Sequence, residues 1–468
     1  MRRIILLTLA LVMVLSCFAA CGKKKDETPV QTGEQNTQEE YYLNTLTKNY
    51  DDDEILICTI ADNAKDGANI EAAVDFIEEA EMLRDLKMEE KFDVEIKYDV
   101  LSGNHMDRIR TMAIVEDGAD IIIQSALNLM TISIEGSTKD LNSIQSLELE
   151  KEWWSQHMIE TTEIKGRLFT MAGAVSRFYY AAPHALVFNK AMATNYGLPD
   201  LYEIVNAGNW TLEEMEKIST EYGIYNEDLE QYPLSFNTHN THYTMLVGCG
   251  VQLAKVDDDG VISVSHLNDE ETKNVMEDIL KAVDPNTNFF GDKDASWEVF
   301  NTGRSLFWLA SFGYMPGRLA ETEIDYGIIP TPKRDTAQKD YISCGFPSSS
   351  YCVAVPARLE STYAEWIGTF LNGWTFLGQD QIRPTYYDAV MKYQVAMDPL
   401  ASEMISMIFD SVYIDLNMIS NFGGTSKTMG DVLQGSMPLS AASRIFAAAV
   451  DSIAADIAKY DALVNPVS

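Results

Sequence analysis

The chain has 468 residues, 46% hydrophobic, 10% aromatic and 23% charged, with 35 Lys and Arg against 71 Asp and Glu for a net charge of −36. That apolar content excludes disorder over most of the chain, and the length excludes one compact core, since single cores stop growing at roughly 250–300 residues. The acidic excess excludes capture of nucleic acid or anionic lipid through a basic patch.

Arg2 and Arg3 precede an apolar run from Ile4 to Leu15, broken only by Thr8. This matches a secretory h-region and is too short for a membrane-spanning helix, which needs about 20 residues. Ala19 and Ala20 then lead to Cys21 and Gly22. The stretch resembles the bacterial lipobox, with Phe18 where Leu is usual, and that resemblance makes Cys21 a lipidated first residue of the mature chain. Cys17 offers a second register, and an ordinary signal peptide with an incidental Cys is the alternative. Residues 1–20 are read as the signal and 21–50 as a lipidated flexible tether, rich in Lys, Asp, Glu, Gln, Asn and Thr. Loss of the two leader arginines takes the net charge to −38.

The other cysteines are Cys58, Cys249, Cys344 and Cys352. No CxxC spacing occurs, so zinc-ribbon and thioredoxin-type sites are excluded. Two disulfides could form among these four, but Cys58 lies in an apolar strand, which favours buried free thiols.

Ile55 to Ile60 reads as a buried strand. A helix follows with Ile70, Ala73, Val74, Ile77 and Ala80 on one face. Phe92 to Val100 alternates apolar and charged residues, as a half-exposed strand does. A second helix carries Ile109, Met112 and Ala113 and stops near Gly118, and Asp120 to Gln124 is a third strand. This β-α-β-α-β order predicts a largely parallel sheet flanked by helices. Leu168–Ala174 and Ala185–Phe188 read as strands around a crossover that holds Phe178, Tyr179 and Tyr180. Thr211 with Glu214 forms a capping box. Residues 256–264 read as a hairpin turning on Asp257-Asp258-Asp259-Gly260. Tyr363, Trp366, Ile367, Phe370, Leu371 and Trp374 share one helical stripe, and an Ala-rich helix ends the chain.

Several segments, in order, resemble the bacterial extracellular solute-binding proteins of family 1, the sugar-binding subunits of ABC importers. They are Ala185-Leu186-Val187-Phe188-Asn189-Lys190, then Gly197-Leu198-Pro199 with Asn209-Trp210-Thr211-Leu212-Glu213-Glu214. Phe300-Asn301-Thr302-Gly303-Arg304-Ser305, Tyr326-Gly327-Ile328-Ile329-Pro330-Thr331-Pro332, Val353-Ala354-Val355-Pro356 and Val412-Tyr413-Ile414-Asp415-Leu416 follow. The resemblance implies an α/β, two-lobed, periplasmic-binding-protein-like fold of type II, with a hinge crossed three times and a cleft between the lobes. Lobe one would be 51–180 plus 328–372, and lobe two 184–326 plus 375–468. Closure of the hinge would bury the ligand and present the closed form to a membrane permease.

A sugar needs planar hydrogen-bond partners for its hydroxyls and aromatic faces for its C–H surfaces. Asp62 and Asn63 follow the first strand and fall where the resembled family places ligand contacts; they also suit a helix N-cap. Gln124, Ser125 and Asn128 follow the third strand, where open α/β sheets bind ligands, and they suit a turn as well. Trp308 and Tyr314 lie in an aromatic cluster that lines the cleft in the resembled family, and core packing is the alternative. Arg177 and Tyr180 lie near the first crossing. His239 opens a polar, aromatic run with His242, and no HExxH pattern accompanies it.

No metal, cofactor or catalytic residue is assigned: Asp257-Asp258-Asp259-Gly260 lacks the remaining calcium-loop ligands, and no nucleophile elbow, P-loop or dinucleotide fingerprint appears. The expected function is capture of a mono- or oligosaccharide and its delivery to an ABC permease. The expected protein is a monomer, without nucleic-acid partners and lipid-anchored on the outer face of the cell membrane. The alternatives are a secreted lipoprotein enzyme acting on glycans, and a solute-binding fold used as a sensor or adhesin.

Overall fold

The computed structural model describes residues 41–51, 53–60, 76–101, 105–175, 177–237, 241–265, 267, 269–346, 351–392 and 399–465. Residues 41–45, the described part of the first unit, form a helical turn closed by Thr45 Oγ1 on Tyr42 O. Residues from Leu46 onward form the second unit.

The second unit is built on two five-stranded sheets. The first has the order β2 (Glu95–Leu101), β1 (Glu54–Ile60), β3 (Ile121–Ser125), β13 (Tyr351–Ala354), β4 (Met171–Ala172). β1 runs parallel to β2, from Glu54 beside Glu95 to Ile60 beside Leu101, and parallel to β3 through Ile57 and Ile121. β13 is antiparallel to both β3 and β4. Central β3 is buried at every residue, as a continuous Ile-Ile-Ile run requires when both faces are covered. β2 is the edge strand, which is why its pattern alternates in sequence. It starts later than its alternation does. Phe92 ends the helix Phe76–Phe92, and Asp93 turns the chain through a left-handed φ of 51° before Glu95 begins the strand.

The second sheet has the order β11 (Tyr326–Ile329), β5 (His184–Asn189), β10 (Ser305–Ser311), β6 (Tyr232–Asn237), β9 (Phe289–Gly291). β10 is parallel to β6 and antiparallel to β5. The chain therefore leaves the first sheet after Ala172, builds the second from His184 through Ile329, and returns to the first at Tyr351. The Leu168–Ala174 strand shrinks to the two residues of β4. The hairpin is β7 (Ala254–Val256) with β8 (Ile262–Val264), turned by Asp257. β12 (Ser343–Cys344) pairs with β14 (Val412–Tyr413) as a separate two-stranded ribbon.

Local chemistry accounts for these boundaries. Asn189 caps helix Lys190–Asn195, and Thr211 caps helix Leu212–Glu221 through the amide of Glu214. Trp210, between them in the motif, is buried and donates Nε1 to Pro330 O at 2.9 Å. Gly327 is required by packing, since a Cβ there would meet the Phe188 ring and the Tyr202 hydroxyl within 2.4 Å. Helix Ser361–Lys392 extends well beyond the Tyr363–Trp374 stripe, passes through Pro384, and packs along Phe76–Phe92 with Phe92 edge-on to Trp366. The Ala-rich end is two helices, Leu439–Ala448 and Val450–Val464. Cys58, Cys249, Cys344 and Cys352 are all free and buried, and burial pushes each thiol to or above about 12.

Candidate functional site

In an open α/β sheet, ligands sit beyond the carboxyl ends of the strands. In the first sheet β1, β2, β3 and β4 end on one edge, at Ile60, Leu101, Ser125 and Ala172, where antiparallel β13 enters at Tyr351. Ser125 is the N-cap of helix Ala126–Ile134. Gln124 lies just before it and is 1% exposed. Its Oε1 accepts from the Ser125 amide at 2.8 Å and from Asn128 Nδ2 at 3.3 Å. A backbone N–H can only donate, so these bonds fix which way the carboxamide points. Gln124 Nε2 is thereby left buried with no acceptor.

The matching edge of the second sheet carries His184, the first residue of β5, directly opposite Ser311, the last of β10. Burial pushes the His184 pKa down to about 4, against backbone hydrogen bonds to Cys344 and Ala182, so the ring is neutral at physiological pH. Its Nδ1 is buried without a partner. Phe346 lies beside it with ring centroids 6.3 Å apart, and Tyr243 stands 6.1 Å from Phe346. His242, in the first turn of helix Thr241–Gly248, lies 4.3 Å from the Tyr243 ring. It too is neutral, its pKa pushed down to about 4 by burial, and neither ring nitrogen has a partner.

Elements from the C-terminal part of the chain pack beside this edge of the first sheet. Helix Ala126–Ile134 packs against helices Leu416–Ser420 and Val450–Val464. Thr161 Oγ1 donates to Ile414 O at 3.0 Å. Asp415, fully buried, holds this region together by accepting from the amides of Leu253, Ala254 and Asn417. Burial raises its pKa to about 7 against those amides, which oppose the shift. As the N-cap of the short helix Leu416–Ser420, this carboxylate has a structural role.

Of the residues that the sequence nominates, Gln124, Ser125 and Asn128 come together as one hydrogen-bonded corner. Arg177 is buried and bonded to Glu81, with Nη2 to Oε2 at 3.0 Å. Tyr180 is buried against Tyr386 and Phe409. Trp308 is 1% exposed among Trp297 and Phe300, with Nε1 donating to Ser296 Oγ at 3.4 Å. Tyr314 donates to Asp294, which also receives Arg318. Asp62, Asn63, His239 and Cys21 lie outside the described residues. His184 escaped sequence reasoning because it opens an otherwise apolar strand; a titratable residue at a strand end next to Pro183 was the available signal.

Among the described residues no group of three or more His, Cys, Asp or Glu is placed to hold a metal ion, and no helix is long and apolar enough to cross a membrane. A cavity of about 600 Å³ opens at the opposite edge of the first sheet, lined by Glu54, Glu116, Asp117, Asp120, Arg358 and Tyr363. It lies where β1 begins, away from the strand ends that carry Gln124.

No family model matches the chain, and no curated protein matches it. Solved structures do match. A family 1 extracellular solute-binding protein from Bifidobacterium longum subsp. infantis aligns over 85% of this chain and 99% of its own, with TM-score 0.61 and 12% identity. A cyclic α-maltosyl-1,6-maltose binding protein from Arthrobacter globiformis aligns over 86% and 98%, with TM-score 0.60 and 13% identity. The ABC substrate-binding protein Lmo0181 from Listeria monocytogenes, in complex with cycloalternan, aligns over 86% and 98%, with TM-score 0.54 and 13% identity. At these identities the likeness is one of architecture, and the chain has the α/β fold, with two sheets, of extracellular solute-binding proteins.

Proposed function

We propose that this protein captures a carbohydrate between its two sheets and delivers it to an ABC permease. One observation carries the reading: a buried polar atom without a partner stands at the ligand-side strand ends of each sheet, Gln124 Nε2 as a donor in the first and His184 Nδ1 as an acceptor in the second. A sugar hydroxyl both donates and accepts, so one ligand class answers both needs. The aromatic surfaces of Phe346 and Tyr243 beside His184 suit sugar C–H faces. The matching fold supports the same reading, since the Arthrobacter and Listeria proteins are described with oligosaccharides. We place Asp62, Asn63, Ser125 and Asn128 in the same site, and the lobes at 51–180 plus 328–372 and 184–326 plus 375–468. The leader and Cys21 make the protein a lipid-anchored one on the outer face of the membrane.

The test is calorimetry and thermal shift of the purified protein against linear and cyclic glucans, monosaccharides, glycerophosphodiesters and peptides. Saturable binding of a saccharide with a raised Tm is the expected result. A shift with a peptide or phosphodiester and none with any saccharide overturns the sugar assignment. Cys21→Ala is expected to release the protein from membranes, and retention of that variant overturns the anchor.

A further inference from the structure

A second set of buried polar residues lies away from the strand-end site. Glu81, Arg84 and Asp85 sit on helix Phe76–Phe92, each 2% exposed. Glu81 accepts from the backbone amide of Arg177 at 3.1 Å and from its guanidinium at 3.0 Å. Arg84 donates Nη1 to Val175 O at 2.6 Å, pairs with Asp85 at 2.8 Å, and stacks 3.9 Å over the Trp374 ring. Asp85 also receives Trp374 Nε1 at 2.6 Å and the Tyr98 hydroxyl. Val175 and Arg177 belong to the segment that carries the chain from β4 in the first sheet to β5 in the second. Its other side is pressed by the long helix, where a Cβ on Gly378 would lie 1.8 Å from Ala174 O.

Beyond Arg177 the partners change. Tyr180 packs on Tyr386 and Phe409, and Ala181 O and Pro183 O accept from Gly313 and Phe312 at the end of β10. Tyr386 donates its hydroxyl to Phe312 O. The clasp on Val175 and Arg177 is made by helix Phe76–Phe92 beside the first sheet, whereas Ala181 and Pro183 bond to the end of β10 in the second; helix Ser361–Lys392 borders both, with Trp374 and Gly378 at the clasp and Tyr386 beside Tyr180.

Two positive and two negative side chains are buried in this clasp. Such networks yield little net stability over apolar packing, and breaking one is costly. What they do supply is direction: a guanidinium fork and a carboxylate hold their partners at fixed angles. Here the partners are the backbone carbonyl of Val175, in the turn after β4, and the backbone amide of Arg177, the first residue of the short helix Arg177–Ala181. We infer that Glu81 and Arg84 are positioning residues that lock Val175–Arg177 to the first sheet, so that any change of angle between the sheets is taken up at residues 178–183. This follows from the crossing itself and is independent of the ligand.

The test is hydrogen exchange by mass spectrometry on the full chain. In the unaltered protein, peptides within 173–177 are expected to exchange at least about ten-fold more slowly than those within 178–183. Arg84→Met is expected to speed exchange within 173–177 about ten-fold while peptides of β3 and β10 keep their rates. Small-angle scattering of the same variant is expected to report a wider spread of distances between the sheets, which a merely structural role would not produce. Glu81→Gln keeps an acceptor for the Arg177 amide and removes the charge, so a smaller increase confined to the same peptides is expected. Unchanged exchange within 173–177, or a uniform rise across β3, β10 and the crossing together, overturns the inference. If Arg84→Met does not fold, Glu81→Gln decides by the same criterion.

Discussion

Two buried polar regions of this molecule differ in a way that separates architecture from function. In the clasp around Arg84, each charged group meets an opposite charge, a backbone group or an aromatic face. At the strand ends, Gln124, His184 and His242 are nearly as deeply buried, yet they present donors and acceptors that nothing in the described chain meets. Burying an unsatisfied polar group costs about 1–3 kcal/mol. Unmatched groups occur in the core as well, at Trp366 and Gln381 for example, and what sets Gln124 and His184 apart is their position at the strand ends, where open α/β sheets bind ligands. The clasp fixes the backbone it grips, and the strand-end groups are the ones proposed to meet a ligand.

The comparison breaks most readily at Asp85. Asp85→Ala strands Arg84, and with it loses the acceptors of Trp374 and Tyr98. A loss of about 3–5 kcal/mol is expected from urea denaturation, as for other buried pairs broken on one side. A loss below about 1 kcal/mol would place the clasp among ornamental ion pairs.

Trp308 tests where the boundary between the two regions runs. The indole is enclosed by Trp297, Phe300 and Tyr314, so Trp308→Ala is expected to cost about 3–5 kcal/mol of stability. A stable Trp308→Ala variant with weakened saccharide binding would instead move this residue into the ligand site.

That case shows how far the sequence was legible. The strands β1, β3, β5 and the β7–β8 hairpin could be read locally, because a continuous apolar run or an Asp-Gly turn contains its own explanation. Arg177 could not be read so, since its carboxylate partner stands 96 residues upstream. The same holds for Trp308, whose nearest aromatic neighbours are placed by helix Lys293–Asn301 packing on β10. Gln124, Ser125 and Asn128 were legible as a group because one strand end and one helix start place all three. Short-range constellations can be found from spacing, whereas a side chain's partner from a distant element decides whether it faces ligand or core.

The next test uses pH. His184 and His242 stay neutral in the fold with pKa values near 4, whereas an unfolded histidine titrates near 6.5. The unfolded state therefore takes up protons first, and stability is full above pH 6.5 and lost as pH falls toward 4. Each imidazole is expected to cost roughly 2 kcal/mol by pH 5. Asp415 acts in the opposite sense. Its folded pKa near 7 lies above the unfolded value, so acidification from pH 7 toward 4 adds stability through that group. The informative quantity is the difference between His242→Phe and the unaltered protein across this range. The variant is expected to be relatively more stable at pH 5 than at pH 7.5, and a pH-independent difference would remove His242 from the unsatisfied set.

The smallest expected effect on stability is the most discriminating. Gln124→Leu deletes the unmatched Nε2, which favours the fold, and deletes Oε1, which leaves the Ser125 amide without its acceptor. The two changes are similar in size and opposite in sign, so stability is expected to stay within about 1 kcal/mol. The Tm rise produced by a bound saccharide is expected to fall sharply in the same variant, because the donor that the ligand would satisfy is gone. A structural residue would give the reverse, with stability falling by 2 kcal/mol or more and the ligand-induced rise retained. That reversal would place Gln124 with Arg84 among groups that the fold itself satisfies, and the difference between the two regions would then lie in the chemistry of His184 and His242 alone.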